Sequence, residues 1–187
     1  VTTAKIIEVI AIPGSLRAGS FNRAALNAAA ELAPQGMAIT VHGLDGIPVY
    51  NADDEAAAGY PDAVVGLREA VRSADAILIA TPEYNYSISG ALKNALDWLS
   101  RGGSESPLNG KPAAILGAGG RFGTVRAQLH LREILLHNDV PVVASPQVMI
   151  DRGASKFEDG VLIDERHRDQ ISRLLAALGR LTERHRS

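Results

Sequence analysis

The chain has 187 residues, enough to bury one sizeable core. With 46% apolar residues, 21% charged residues and a formal net charge of -2, it has the composition of an ordinary globular protein and offers no electrostatic case for nucleic acid or an acidic membrane surface. It has no cysteine, which excludes disulfides, thiolate nucleophiles, iron–sulfur clusters and zinc–thiolate sites together and fits a reducing cytosol.

The polar start "VTTAK" shows no signal-peptide pattern, and no apolar run approaches the roughly 20 residues of a membrane helix. "KIIEVIAI" (5–12) is β-branched and apolar apart from Glu8, as a strand buried on both faces should be. Ser20-Phe21-Asn22 leads into an Ala- and Leu-rich helix over 22–33, closed by Pro34 and Gly36. "MAITVHGL" (37–44) alternates like a second strand, 45–61 reads as a long loop, and "DAVVGLREAVRSA" (62–74) has helical spacing. "DAILIATP" (75–82) is the clearest strand and stops at Pro82; helix 89–100 and a Gly/Ser-rich loop at 102–110 follow. "KPAAILGAG" (111–119) is a fourth strand, 124–139 a helix, 140–150 a fifth strand, and 164–184 a closing helix. Five strands alternating with helices predict an α/β three-layer sandwich around a parallel sheet. Right-handed crossovers leave the flavodoxin-like order 2-1-3-4-5 as the leading topology. Ligands of such sheets lie beyond the carboxyl ends of the strands.

Three loops at that edge carry unusual chemistry. In "GSLRAGSFN" (14–22), Ser15, Ser20, the Asn22 amide and the N–H groups of a helix N-terminus are donors, and Arg17 adds a cation. That set suits a phosphate. The loop lacks both G-x-x-x-x-G-K-[ST] and G-x-G-x-x-G, so a terminal phosphate monoester is favoured over a triphosphate or a dinucleotide. A serine-capped turn is the alternative. "TPEYNYSISGALKNALDW" (81–98) puts Glu83, Tyr84, Asn85 and Tyr86 just past Pro82, where backbone groups could bond the edge of a flat heterocycle. Leu92, Leu96 and Trp98 further along read as core. "GAGGRFGTVRAQ" (117–128) has glycines at 119, 120 and 123 that permit positive φ and close approach to a ligand, with Arg121 or Phe122 to cover its face. Phosphate at one end and a planar ring at the other describe a mononucleotide.

These segments, "GSLRAGSFNRA", "PEYNYSISGALKNALDW" and "GRFGTVRAQLHLREIL", resemble the NADPH-dependent FMN reductase family, including its quinone- and chromate-reducing members, from residue 5 to about 150. The resemblance implies one flavodoxin-like domain over 1–187 with non-covalent FMN. The phosphate would sit on Ser15, Arg17, Ser20, Phe21 and Asn22, the isoalloxazine against Pro82, Glu83, Tyr84, Asn85 and Tyr86, and the turn at Ala118, Gly119 and Gly120 would complete the pocket. Relatives often carry hydroxyl residues where this chain has "GAGG", so bonds there must come from backbone. The resemblance also implies a homodimer or homotetramer, with the flavin near the subunit interface, and the cysteine-free composition points to the cytoplasm. Arg126, Gln128 and the stretch Asn51 to Asp54 are then candidates to meet a neighbouring subunit.

The implied reaction passes a hydride from NADPH or NADH through FMN to a small acceptor such as a quinone or free flavin; it needs no nucleophile or general base from the protein, and the sequence names no catalytic side chain. A flavodoxin-type electron carrier is the alternative; its usual acidity and Ser/Thr-rich phosphate loop are not features of this sequence. A histidine-based metal hydrolase is disfavoured. His130 and His137 lie two turns apart, no H-E-x-x-H occurs, and His42, His167 and His185 are isolated, as surface or helix-end histidines are. Arg101 could meet a ribose phosphate, although a lone loop arginine is more often solvated.

Overall fold

A computed structural model describes residues 5–186; the first four residues of "VTTAK" lie outside it. Five parallel strands, β1 (Ile7–Pro13), β2 (Met37–Val41), β3 (Ala76–Ala80), β4 (Ala113–Ala118) and β5 (Val148–Ile150), pair in the order β2-β1-β3-β4-β5. The topology is flavodoxin-like. Among the described residues, six α-helices are interleaved with them: α1 (Phe21–Glu31), α2 (Ala52–Ala58), α3 (Asp62–Ser73), α4 (Gly90–Leu99), α5 (Val125–His137) and α6 (Glu165–Arg186).

The pleat of β3 explains the layering. All five of its residues are fully buried. Ala76, Leu78 and Ala80 face one core with α1 and α6, while Ile77 and Ile79 face the other with α3, α4 and α5. The α1 side is built from small residues, Ala24, Ala25, Ala28 and Ala29 against Ala76 and Ala80. Helix and sheet therefore approach closely, and the N-terminus of α1 is brought over the carboxyl edge. Trp98, Leu92 and Leu96 are buried as expected. No helix among the described residues is long and apolar enough to cross a membrane.

Three local expectations are corrected. The 45–61 loop contains α2, whose N-cap Asn51 accepts from the Asp53 N–H at 3.0 Å and whose first turn holds Asp53, Asp54 and Glu55, all favourable at a helix N-terminus. The fifth strand is short. Val142 forms only an isolated bridge to Ala113, and Pro141 and Pro146 supply no N–H to the ladder before Val148. After β5 comes an unanticipated hairpin, β6 (Phe157–Glu158) and β7 (Val161–Leu162), turned by Asp159-Gly160 at φ 47° and 80°. Its Phe157 stacks on Phe21 with centroids 5.0 Å apart, which ties the hairpin to the start of α1.

Candidate functional site

The loop after β1 begins under tight packing. A Cβ on Gly14 would lie 2.9 Å from the Pro82 ring and 3.1 Å from Leu92, so only glycine lets the β1 and β3 loops meet this closely. Ser89, the N-cap of α4, accepts from the Leu92 N–H and donates to the Gly14 carbonyl. Ser15 is buried, its hydroxyl 3.5 Å from the Tyr84 hydroxyl. Ser20 caps α1 by accepting from the Arg23 N–H at 3.3 Å, and its hydroxyl proton is left to donate elsewhere. The first-turn N–H groups of Phe21 and Asn22 have no place in the helical ladder and point out of the helix end. The Asn22 side chain is a correction. Its amide donates to the Ala118 carbonyl at 3.0 Å and its oxygen accepts the Ala118 N–H at 2.9 Å. Buried, with its nitrogen and its oxygen both bonded to Ala118, that carboxamide pins α1 to β4 and spends one of its two N–H donors there.

In the second loop, Tyr84 and Ser87 exchange backbone bonds of 2.9 and 3.0 Å around Asn85 and Tyr86, both at positive φ (49° and 68°). The tight turn throws Tyr86 outward, 65% exposed, with the Arg126 guanidinium 4.1 Å from its ring centroid. Glu83 caps α5: one carboxylate oxygen accepts the N–H groups of Arg126 at 2.9 Å and Ala127 at 3.2 Å, and the other lies 3.5 Å from the Arg126 guanidinium. The α5 N-cap residue, Thr124, makes no side-chain cap bond, so Glu83 does that work from another loop.

The third loop is a tight glycine turn. A Cβ on Gly119 would be 2.3 Å from the Gly123 carbonyl oxygen and one on Gly117 would be 2.1 Å from the Thr124 hydroxyl. Of the three glycines at 119, 120 and 123, only Gly123 has positive φ, 60°. Gly119 is required by close approach, and Gly120 faces open space.

A cleft of about 600 Å³ opens where the loops converge. Ser15, Arg17, Ser20, Phe21, Asn22, Pro82, Glu83, Tyr84, Ala118, Gly119 and Gly120 line it together. Asn85 and Tyr86 do not. They line an adjoining recess of about 540 Å³ with Phe122 and Arg126, sharing Glu83, Gly120 and Arg121 with the main cleft. One wall went unanticipated: Arg152, Gly153, Ala154 and Ser155, after β5. This segment is held by bonds from the N–H groups of Arg152 to the Gly120 carbonyl (2.8 Å) and of Gly153 to the Gly119 carbonyl (2.9 Å).

Other candidates fall elsewhere. Gln128 is 1% exposed and bonds Thr124 and the Val148 carbonyl within its own chain, so it cannot reach a neighbour. Arg101 is spent on the Asp97 carbonyl, the Ser100 hydroxyl and the Tyr50 ring. His167 is neither a surface residue nor isolated. It is 2% exposed, with one ring nitrogen 2.7 Å from Asp164 and the other 3.8 Å from Asp151. The Lys156 ammonium bonded to Asp164, with the His167 contacts, outweighs burial and lowers that carboxyl to about 2.

The model of the NADPH-dependent FMN reductase family matches residues 7–155. Among curated proteins, the chain is 53% identical over 174 residues to an NAD(P)H-dependent FMN reductase of Pseudomonas aeruginosa, covering 92% of this chain and 93% of that protein. It is 38% identical over 182 residues to the quinone reductase of Escherichia coli K12, covering 95% and 96%. Among solved structures, the flavoenzyme NAD(P)H:(acceptor) oxidoreductase FerB of Paracoccus denitrificans superposes with a TM-score of 0.86 at 31% identity, over 96% of this chain and 99% of that one.

Proposed function

The chain belongs to the NADPH-dependent FMN reductase family, and from that premise we propose that the 600 Å³ cleft is its FMN site. The protein is an FMN-dependent oxidoreductase that draws on NADPH or NADH and serves a small acceptor, a quinone or free flavin. The supporting observation is that one continuous cleft joins the free donors at the start of α1 to a glycine turn that excludes side chains. Its volume falls within the roughly 300–1,000 Å³ of small-ligand sites.

At one end, Arg17, the Ser15 and Ser20 hydroxyls and the N–H groups of Phe21 and Asn22 would hold the phosphate. The Asn22 side chain is committed mainly to Ala118, so its backbone N–H is the group that would serve the phosphate. At the other, Pro82, Glu83, Tyr84 and the backbone of Ala118, Gly119 and Gly120 would bound the ring, with Asn85 and Tyr86 reaching it only from the adjoining recess. Bound FMN supplies the hydride chemistry. The protein's share is to position and to exclude. Ser89 and Asn22 tie the three loops to one another, and Glu83 is kept in place by the α5 N-terminus.

The reading extends to a single FMN-binding domain over 1–187, working in the cytoplasm as a homodimer or homotetramer. Exposed Tyr86 and Phe122 on the second recess, with exposed Leu129 and Leu136 further along α5, support self-association, and the lack of cysteine fits the compartment. The test is an absorbance spectrum after adding FMN and removing the excess, then NADPH without oxygen. Retained flavin that bleaches supports the reading. Retained flavin that does not bleach points to an electron carrier, and no retained flavin refutes the site.

A further inference from the structure

Arg17 and the start of α1 account for one phosphate. Two further arginines on the same cleft have no such assignment. Arg121 follows the glycine turn, and Arg152 follows β5. The Arg152 N–H donates to the Gly120 carbonyl at 2.8 Å, so the two side chains leave the backbone from adjacent positions on segments joined by that bond. Arg152 is held in the left-handed region at φ 48°, a conformation that costs a non-glycine residue energy and fixes where its side chain starts.

Both side chains are exposed, and neither has a carboxylate within ion-pair distance among the described residues. Among the described residues, the only carboxylate lining the cleft is Glu83, already engaged by Arg126 and the α5 N-terminus. The third nearby guanidinium, that of Arg126, is engaged in return and stacked on Tyr86. A chain of net charge -2 thus keeps a pair of unneutralised forks on the rim, carried by the loops after β4 and β5 and not by the β1–α1 loop. The β5 loop nonetheless packs on the start of α1, where a Cβ on Gly153 would lie 3.2 Å from the Phe21 ring. Guanidinium forks match the oxygens of a phosphate.

We propose that Arg121 and Arg152 form a second anion subsite, which takes a phosphate monoester on the ligand that exchanges electrons with the cofactor. This rests on the FMN reading above. Two sources share the chemistry: the 2′-phosphate that distinguishes NADPH from NADH, and the 5′-phosphate that distinguishes free FMN from riboflavin as acceptor.

The experiment uses FMN-loaded wild type, Arg121→Ala, Arg152→Gly (which suits the left-handed backbone) and, as a control on the exposed start of α6, Arg166→Ala. Calorimetry compares adenosine 2′,5′-diphosphate with AMP, and a second equivalent of FMN with riboflavin. The ratio of kcat/KM for NADPH over NADH is measured alongside. In one of the two pairs, the phosphate-bearing probe should bind about tenfold more weakly to both rim variants. Its partner lacking that phosphate, the control variant and retention of the resident FMN should be unchanged. Loss in the first pair with a lower NADPH/NADH ratio identifies the donor as the source; loss in the second identifies the acceptor. Equal loss for both members of a pair, or no loss in either, overturns the subsite. Loss of resident FMN from the rim variants also overturns it, since the arginines would then serve the cofactor's own phosphate. A wild type that retains no FMN overturns the cofactor reading and this inference together.

Discussion

Replacing Arg17 by alanine removes an exposed guanidinium that lines the cleft and has no ion pair among the described residues. The fold should not register the loss, since an exposed, unpartnered side chain contributes little to stability. Phosphate binding should. A charge-assisted hydrogen bond contributes about 1.5–3 kcal/mol. Arg17 stands in solvent, where screening weakens it, while the Ser15 and Ser20 hydroxyls and two helix N–H groups remain, so the lower figure applies. About 1.5 kcal/mol corresponds to roughly a tenfold rise in the Kd for FMN. Flavin fluorescence titration of wild type and Arg17→Ala measures it, with riboflavin as the internal comparison and the Tm of the flavin-free protein as the check on folding. Riboflavin lacks the phosphate, so its affinity should be the same for both proteins. An FMN Kd that does not move, or an equal loss for riboflavin and FMN, would refute a phosphate site at Arg17.

Asn22→Ala should cost about 2–3 kcal/mol of stability by urea unfolding, because it strips both bonds from the buried Ala118 backbone (2.9 and 3.0 Å) rather than a surface contact. Gly119→Ala puts a Cβ 2.3 Å from the Gly123 carbonyl oxygen; the turn must open, and FMN affinity should fall even where the folded fraction, followed by circular dichroism, does not. The Asp164 carboxyl, lowered from 3.8 to about 2, stabilises the fold fully above about pH 4 and loses that contribution as the pH falls towards 2. Tm measured against pH should therefore show a gap between wild type and Asp164→Asn that narrows below pH 4; a gap that stays constant with pH would refute the ionic account.

Much of this fold was legible because β3, and β1 apart from Glu8, are apolar on both faces, a pattern that a parallel sheet under two helix layers accommodates, and because helical segments alternate with the strands. The three loops were legible for a related reason: the carboxyl edge follows from strand order, and Ser15, Arg17 and the 117–120 glycines sit where strands 1 and 4 stop. What escaped was the third dimension. Nothing in the spacing says that residues 152–155 return to bond Gly119 and Gly120, although "FEDGVL" carries a hairpin signal of its own. Two misreadings were avoidable. Gln128 lies in helical register with Leu131 and Leu135, and His167 with Ile171, Leu174 and Leu178, so their burial follows from the helical period. The Asn22 and Glu83 roles were not: both side chains are of types that bind ligands, and only the partner backbone, 96 and 43 residues away, shows them spent on the scaffold.

The distribution of charge separates scaffold from site more sharply than residue type does. At the amino edge of the sheet, cations and anions find partners inside the chain. Burial alone would raise the Asp75 carboxyl, yet the Glu8 N–H and the Arg186 guanidinium hold it below its usual value; Lys111 crosses to the carbonyls at the end of α3. At the carboxyl edge the opposite holds. Glu83 and Arg126 cancel one another against the α5 N-terminus, while Arg17, Arg121 and Arg152 line the same cleft as Glu83 with no ion pair to it or to another carboxylate among the described residues. Unpaired like charges converging on a cavity repel each other and are a cost to the folded chain alone. They become favourable only when an anion enters. The arginines therefore make the carboxyl edge, where strand order predicts binding, the edge that suits anionic ligands.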